Sequence, residues 1–399
     1  MSTITLEKVK TIKTLNQIAA CGLDIFKQDQ YTIDNDTSNP DAILVRSANM
    51  HSMEFGDQLK AIARAGAGVN NIPVDKCTER GIVVFNTPGA NANAVKELVL
   101  TSLIASSRNL FAGTAWTKSL EGEGEQIPKL VEAGKKQFVG QEIKGKTLGV
   151  IGLGAIGALV ANDALALEMD VIGFDPFISV DTAWKLSRNV QRAMTIEQLF
   201  AESDYITVHV PLTEETRGMF NEAAFRMMKQ GVHILNFSRG ELVNEADMAE
   251  ALESGKVGMY ITDFPNEQVL KMKNVIPFPH LGASTKESEE NCAMMAARQV
   301  KDFLETGNIK NSVNFPNVSL PYTGRHRVSA FHRNVPNMVG QITSILSGYN
   351  LNIADMVNRS RNEYAYTLID LDNQVDEDML SILKIKFSQI AGMITIRMI

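Results

Sequence analysis

The sequence of 399 residues predicts an α/β protein: doubly wound parallel sheets, followed by a small domain of βαββαβ order. Three observations carry that prediction. Short apolar runs alternate with helical patterns through roughly the first 320 residues. A glycine-rich turn, Gly152-Leu153-Gly154-Ala155-Ile156-Gly157, stands between one such run and a helix pattern. A stretch with two prolines and no helical period, Val313–Pro321, then separates this region from a differently ordered tail.

Taken in order, Asp41–Arg46 has the composition of a short buried strand, and Gly81–Phe85 of another. Val95–Leu110 reads as an apolar helix that ends in a polar segment over 119–137, rich in glycine and lysine. A second alternating run begins at Lys146, with strands expected at Thr147–Ile151, Asp170–Asp175, Tyr205–Val210, Val232–Phe237 and Met259–Asp263. Beyond the linker, the strands and helices expected are Val328–His332, Met338–Tyr349, Asn352–Arg361, Glu363–Leu371, Asp376–Ser388 and Thr395–Ile399.

Composition narrows the function. With 44% hydrophobic and 21% charged residues the chain is of ordinary globular type, and a net charge of −7 argues against a nucleic-acid surface. No apolar run reaches the ~18–20 residues that span a bilayer, so no membrane partner is expected. The opening MSTITLEKVKTI lacks the apolar core of a secretory signal. Cys21, Cys77 and Cys292 are few, scattered and odd in number, and suit buried thiols in a reducing cytoplasm rather than disulfides or a metal site.

The glycine turn is informative because of its setting. It follows Thr147–Ile151 and opens a helix, Ala158–Leu167. Gly152 permits the tight turn, Gly154 lets backbone approach a diphosphate, and Gly157 allows close helix–strand packing. The diphosphate would then lie on the unpaired N–H groups of the helix start. Asp175, eighteen residues past the last glycine, is placed to bond ribose hydroxyls and repel a 2′-phosphate, which favours NAD over NADP. The bland alternative is a glycine turn in an α/β fold with no ligand.

Two later segments also end strands: Asn236-Phe237-Ser238-Arg239-Gly240 and Pro279-His280-Leu281-Gly282-Ala283. Between them lies Asp263-Phe264-Pro265-Asn266-Glu267. A 2-hydroxy acid dehydrogenase needs a cation for the carboxylate, an imidazole for the proton and a carboxylate to orient the imidazole. Arg239, His280 and Glu267 have those chemical types. Taken singly, each also suits a structural role: a loop-capping arginine, or a histidine satisfied by its surroundings.

These segments, with His209-Val210-Pro211-Leu212-Thr213, occur in the order and approximate spacing of the D-isomer-specific 2-hydroxyacid dehydrogenases, which the chain resembles over roughly its first 320 residues. The resemblance implies a Rossmann-type NAD-binding domain (99–290) inserted in a flavodoxin-like substrate domain (1–98 and 291–322), and an ACT-like regulatory domain over 323–399. It implies that Arg239 holds the substrate carboxylate, His280 exchanges the hydroxyl proton and Glu267 bonds the far nitrogen of His280. It assigns the cofactor to Gly152, Gly154, Ala155, Ile156, Gly157, Asp175, His209, Val210, Pro211, Phe237, Ser238, Arg239, Asp263, His280, Gly282 and Ala283, with Asp263 facing the nicotinamide amide. Gly68, Val69 and Asn70 would offer N–H donors to the substrate, with Ser47 beside them and Arg46 the candidate for a phosphate. An ordinary surface ion pair is the competing reading of Arg46.

Within the family, the run from Arg64 to Ile72 and the tail favour 3-phosphoglycerate as substrate, in the first step of the phosphorylated route to serine. Glyoxylate, hydroxypyruvate and 2-oxoglutarate remain alternatives, as does an NAD-sensing regulator without turnover. One departure concerns Glu267, four steps from Asp263 where the family usually has five. In the tail, His332, Asn334 and Asn352 match the residue types with which serine-sensitive members bind L-serine; Asn337 stands where glycine is preferred. Asn334 as a plain helix cap is the competing reading. A dimer of dimers is expected, from the edge strand of the tail and the apolar helix Val95–Leu110.

Overall fold

Aliphatic and β-branched runs too short to make stable helices form the strands. The computed structural model describes residues 9–399, so most of the stretch read for a secretory signal lies outside the described residues. These fall into two units: the chain up to Asn91 with Glu289–Ile399, and Ala92–Ser288.

The first unit holds a five-stranded parallel sheet: β1 (Lys10–Leu15), β2 (Tyr31–Ile33), β3 (Ala42–Val45), β4 (Ala61–Arg64) and β5 (Val83–Phe85). Its order, β2-β1-β3-β4-β5, is flavodoxin-like. All four residues of β3 are buried, as expected where helices cover both faces of a parallel sheet. Ala293, Ala296, Ala297, Val300 and Phe303 of the helix Lys286–Thr306 pack with Ile12, Leu44, Ala61 and Val83 from the sheet.

The second unit is a seven-stranded parallel sheet: β6 (Thr147–Ile151), β7 (Asp170–Phe174), β8 (Gln191–Arg192), β9 (Tyr205–Val208), β10 (Val232–Asn236), β11 (Val257–Thr262) and β12 (Val275–Pro277). The order β12-β11-β10-β9-β6-β7-β8 reverses direction at β6, where the glycine turn begins. Such a switch point is where open α/β sheets bind ligands. The sequence pattern missed β8 and β12, two and three residues long, because neither has room for a period.

The apolar helix expected over Val95–Leu110 is instead two. Ala92–Ser107 ends before Asn109, whose φ of 50° is left-handed, and Leu110–Lys118 follows. Val95, Val99 and Leu103 are buried with Leu148, Val160 and Ala161 in this unit's own core. That apolar face is therefore largely spent within the unit, and only Ile104, Leu110 and Phe111 leave large apolar surface exposed. The polar segment 119–137 is not irregular throughout: it contains the helix Ile127–Gly134.

The tail completes the first unit: β13 (Arg327–Arg333), β14 (Ile353–Arg361), β15 (Tyr364–Leu371) and β16 (Met393–Met398), antiparallel in the order β14-β15-β13-β16. Helices Met338–Gly348 and Glu377–Ser388 follow β13 and β15, giving the βαββαβ order of an ACT-like domain. Val328 and Ala330 of β13 pack with Ile342, Leu346, Leu383 and Phe387 of those helices. Phe331 and, on β15, Tyr366 pack instead with Phe303 and Phe315 of the rest of the unit.

Val313–Pro321 is irregular, as two prolines require, but it is no loose tether. Phe315, Val318 and Leu320 are buried, and the Asn314 side chain bonds Val84, Ile82 and Thr78. Arg327, fully buried, forms a bidentate pair with Asp370 and donates to the carbonyls of Thr306, Leu320 and Pro321. Breaking such a pair by removing one partner costs about 3–5 kcal/mol, because the other charge stays buried. Among the thiols, Cys77 and Cys292 are buried, while Cys21 is only half-buried, contrary to expectation. No helix among the described residues is long and apolar enough to cross a membrane.

Candidate active site

The glycine turn has the backbone that its residues foretell. Gly152 has a φ of +84°, a value that side chains disfavour. A Cβ on Gly157 would lie 1.9 Å from the Gly152 carbonyl oxygen, so the helix can start this close only without one. A Cβ on Gly154 would meet nothing within 4 Å, and the room lies at the start of the helix Ala155–Ala166, which no side chain caps. Ala155 and Ile156 form its first turn, whose N–H groups have no intrahelical acceptor. This is a cradle for an anion.

Asp175 follows β7. Its carboxylate accepts from the N–H of Leu153 at 2.8 Å and of Phe177 at 2.8 Å, which fixes it against the glycine turn with lone pairs to spare for ribose hydroxyls. His209 and Val210 lie behind the turn, since a Cβ on Gly152 would collide with both. The His209 ring shares a 3.0 Å hydrogen bond with Thr207, its Nδ1 has no partner among the described residues, and burial pushes its pKa down to about 3. It is a neutral imidazole. Pro211 accepts from Thr216 through its carbonyl oxygen.

At the end of β10, the Asn236 side chain donates to the Arg239 carbonyl at 2.8 Å and accepts from the Ser238 N–H at 3.1 Å. Ser238 in turn donates to the Val208 carbonyl at 2.7 Å. These bonds fix the loop so that the Arg239 guanidinium projects exposed, bonded among the described residues to the neighbouring Ser238 carbonyl alone, at 2.6 Å. Phe237 is buried against Phe278. Asn236 stands first in the motif read from the sequence but was given no role there; an amide closing an aliphatic strand was the available signal, and in the structure it is fully buried.

Asp263 is the central group. It is 1% exposed; one oxygen accepts from the Gly282 N–H at 3.0 Å, and the other has no partner among the described residues. Burial raises its pKa, while the Gly282 bond and the nearby His280 and Arg239 work against the rise. A buried carboxylate oxygen left open is costly, so its persistence points to a donor supplied by a ligand. A Cβ on Gly282 would stand 3.2 Å from this carboxylate, a tight contact that the glycine avoids. Ala283 follows in the same turn. The structure thus brings together Asp263, Gly282, His280 and Arg239.

Glu267 does not join them. Its carboxylate is 80% exposed and pairs with Lys271 at 2.7 Å. The side chain against the His280 ring is Phe264, with ring centroids 4.8 Å apart. The shortened Asp263–Glu267 spacing puts the glutamate into a surface turn just before a short 3-10 helix, Val269–Lys271.

In the first unit, the backbone N–H groups of Gly68, Val69 and Asn70 donate to no protein group among the described residues. The Ser47 N–H is bonded to Asn16 at 2.9 Å. The Arg46 guanidinium pairs with Glu289, which is the competing structural role. In the tail, both ring nitrogens of the buried His332 are taken, at 2.8 Å by Thr367 and at 2.8 Å by the Arg333 carbonyl, and burial lowers its pKa. Asn334 bonds the Asn362 carbonyl, and the Asn352 side chain donates to Asp372. Asn337 has a φ of 65°, which explains the family's glycine there, and its side chain lies over Gly340.

A doubly wound sheet, a diphosphate cradle at its switch point and an acid–cation–imidazole cluster along the same edge define a dinucleotide-binding protein of dehydrogenase type. The sequence family described as "D-isomer specific 2-hydroxyacid dehydrogenase, NAD binding domain" matches residues 100–282. The chain is 37% identical over 288 residues to the D-3-phosphoglycerate dehydrogenase of Archaeoglobus fulgidus, covering 70% of this chain and 52% of that protein. It is 39% identical over 279 residues to the hydroxypyruvate reductase of Thermotoga maritima, covering 67% and 85%. Among solved structures, the NAD+-bound 3-phosphoglycerate dehydrogenase of Entamoeba histolytica superposes with a TM-score of 0.60 at 28% identity, over 77% of this chain and 99% of that one. The chain belongs to the D-isomer-specific 2-hydroxyacid dehydrogenase family, and its cofactor is NAD. It spans about half the length of the curated phosphoglycerate dehydrogenases it matches.

Proposed function

We propose that the protein oxidises D-3-phosphoglycerate to 3-phosphohydroxypyruvate, in the first step of the phosphorylated route to serine. The observation that carries the chemistry is the open oxygen of buried Asp263 beside His280 and Arg239. The substrate rests on the phosphoglycerate dehydrogenases among the relatives. Bound NAD+ supplies the hydride acceptor. Asp263, through its open oxygen, would accept from the carboxamide of the bound nicotinamide. The exposed Arg239 guanidinium binds the substrate carboxylate and polarises the oxygen on the carbon being oxidised. His280 takes the hydroxyl proton during oxidation and returns it during reduction. The N–H groups of Gly68, Val69 and Asn70 are assigned to the substrate, with Ser47 beside them.

Glu267 is a positioning residue in this scheme, fixing the tautomer of His280. Its pair with Lys271 is fully at the surface, where such pairs hold only about 0–1 kcal/mol, so releasing it is cheap. Arg46 binds the substrate phosphate by leaving Glu289, another exposed pair. That existing pair favours a second reading, reduction of hydroxypyruvate or glyoxylate, which need no phosphate site. The similarity to a hydroxypyruvate reductase supports it too.

NADH formation from D-3-phosphoglycerate with a product trap, compared with reduction of hydroxypyruvate, glyoxylate and 2-oxoglutarate, tests the proposal. The largest kcat/KM is expected for the phosphorylated pair. Preference for an unphosphorylated acid selects the second reading, and binding of NADH with no turnover selects an NAD sensor. The protein is further proposed to be cytoplasmic and a dimer of dimers, joined in part through the exposed edge strand β14. A monomer in sedimentation would defeat the assembly. L-Serine is proposed as an effector at His332, Asn334 and Asn352, which requires His332 to exchange a present partner for it.

A further inference from the structure

Each strand of the first sheet runs parallel, so residues before the strands and residues after them lie at opposite edges. Gly68–Asn70 follow β4. Lys10 opens β1, Asp41 precedes β3 and Lys60 precedes β4, so these three share the other edge. There the first unit encloses a cavity of about 850 Å³, within the range of small-molecule sites. Its walls come from the sheet edge, the end of the helix Lys286–Thr306 and the tail.

Six cations line it: Lys10, Lys27, Lys60, Lys301, Lys384 and Arg397. On a chain of net charge −7 this is a local inversion of sign. Among the described residues two side-chain carboxylates face them, and both are engaged: Asp41 with Lys60 and the Thr11 N–H, Glu305 with the Tyr31 hydroxyl at 2.8 Å. Among the described residues no ion pair reaches Lys10, Lys27, Lys301, Lys384 or Arg397. The Arg397 guanidinium lies over the Phe303 ring, 4.6 Å from its centroid, and its bonds go to the Phe303 and Leu304 carbonyls. Burial lowers the pKa of Lys60; the bond to Asp41 opposes this, and Arg397 and Lys10 lower it further. Like charges are thus gathered around one space at a cost in self-repulsion, which Asp41 offsets only in part, at Lys60 and Arg397.

We propose that this cavity is a second ligand site, for a small anion bearing phosphoryl groups. Several ammonium groups and one guanidinium suit a compact group of high charge density, which a diphosphate supplies. The site is distinct from the dinucleotide turn, which belongs to the second unit. An anion held by Lys10 and Lys60 on one wall and Lys384 and Arg397 on another fastens the tail to the first sheet. Binding therefore stabilises the fold by mass action.

Calorimetry of the full chain saturated with NADH, so that the dinucleotide cradle is filled, tests this with pyrophosphate as probe. Binding is expected, with a rise in Tm and an affinity that falls with added salt. Lys27→Gln combined with Lys384→Gln removes two exposed cations; the unliganded variant is expected to melt with wild type but to bind pyrophosphate about tenfold more weakly or worse. Citrate, an anion without phosphorus, is expected to bind less tightly than pyrophosphate. No heat from wild type, wild-type affinity in the variant, or a preference for citrate would each overturn the proposal.

Discussion

At the dinucleotide edge of the second unit, buried polar atoms stand open: an oxygen of Asp263 and Nδ1 of His209. In the tail, His332 is as deeply buried, yet both of its ring nitrogens are bonded within its own sheet. Both regions present residue types that a ligand would use. The difference lies in satisfaction. An unpartnered buried acceptor costs about 1–3 kcal/mol, a cost that a ligand bound at Asp263 would repay. A histidine whose two nitrogens are already bonded adds stability without any ligand.

The largest effect expected from breaking this contrast falls at His280. Replacing it with Asn should lower turnover about 10²–10⁴-fold, the usual share of general acid–base catalysis, with NADH affinity retained. Stopped-flow hydride transfer and NADH fluorescence titration measure the two separately; near-wild-type turnover would move the proton to another group. Next comes Gly157→Ala. The added methyl has to move backbone, since the Gly152 carbonyl would lie 1.9 Å away. Overpacking of this kind costs about 1–3 kcal/mol, and the helix start shifts with it. Both Tm and NADH affinity should drop; a lower Tm with unchanged affinity would show that the cradle tolerates displacement.

The two regions also differ in how far the sequence revealed them. Turn glycines, Asp175 and the strand-end motifs could be read directly, because each depends on local backbone geometry or on a fixed place at a strand end. The six tail elements were legible for the same reason, their periods being strong and their turns short. What escaped depends on long-range packing. The sequence has no means to show that Arg327 would be buried against Asp370 and three carbonyls, or that Asn314 would serve as an internal clamp. The end of the helix at Ser107 turns on one left-handed asparagine inside an apolar run. Glu267 had the right residue type and nearly the right spacing, but one residue fewer in the loop carries its carboxylate out to Lys271.

Asp263→Asn sharpens the contrast through opposite effects on stability and binding. Burial raises the carboxyl pKa in the folded protein, so the native state holds its proton more tightly than the unfolded chain does. Stability from this group therefore declines as pH rises from the ordinary carboxylate value of 3.8 through the raised one. The neutral amide escapes that decline. At neutral pH and without cofactor, the variant should melt higher than wild type. It should also lose affinity for cationic NAD+ more than for NADH, by about 1–3 kcal/mol, as a charged partner is lost. A variant both less stable and unchanged in binding would make Asp263 a structural residue like His332.

The smallest effect is expected at His332 itself. Its folded pKa is depressed by burial, with the Arg333 carbonyl partly offsetting this, so it stays neutral where the unfolded imidazole takes up a proton. Its contribution is full above the ordinary value of 6.5 and is lost as pH falls from there toward the depressed pKa. His332→Gln should therefore be less stable than wild type by about 0.5–1.5 kcal/mol near neutrality, with the gap narrowing on acidification and turnover unaffected. Urea midpoints at about pH 7.5 and about pH 5.5 bracket that window. A gap that stays constant with pH would mean the ring is not held neutral by burial. Heat on adding L-serine to wild type, abolished in the variant, would break the contrast from the other side, showing that the Thr367 bond is exchanged for a ligand.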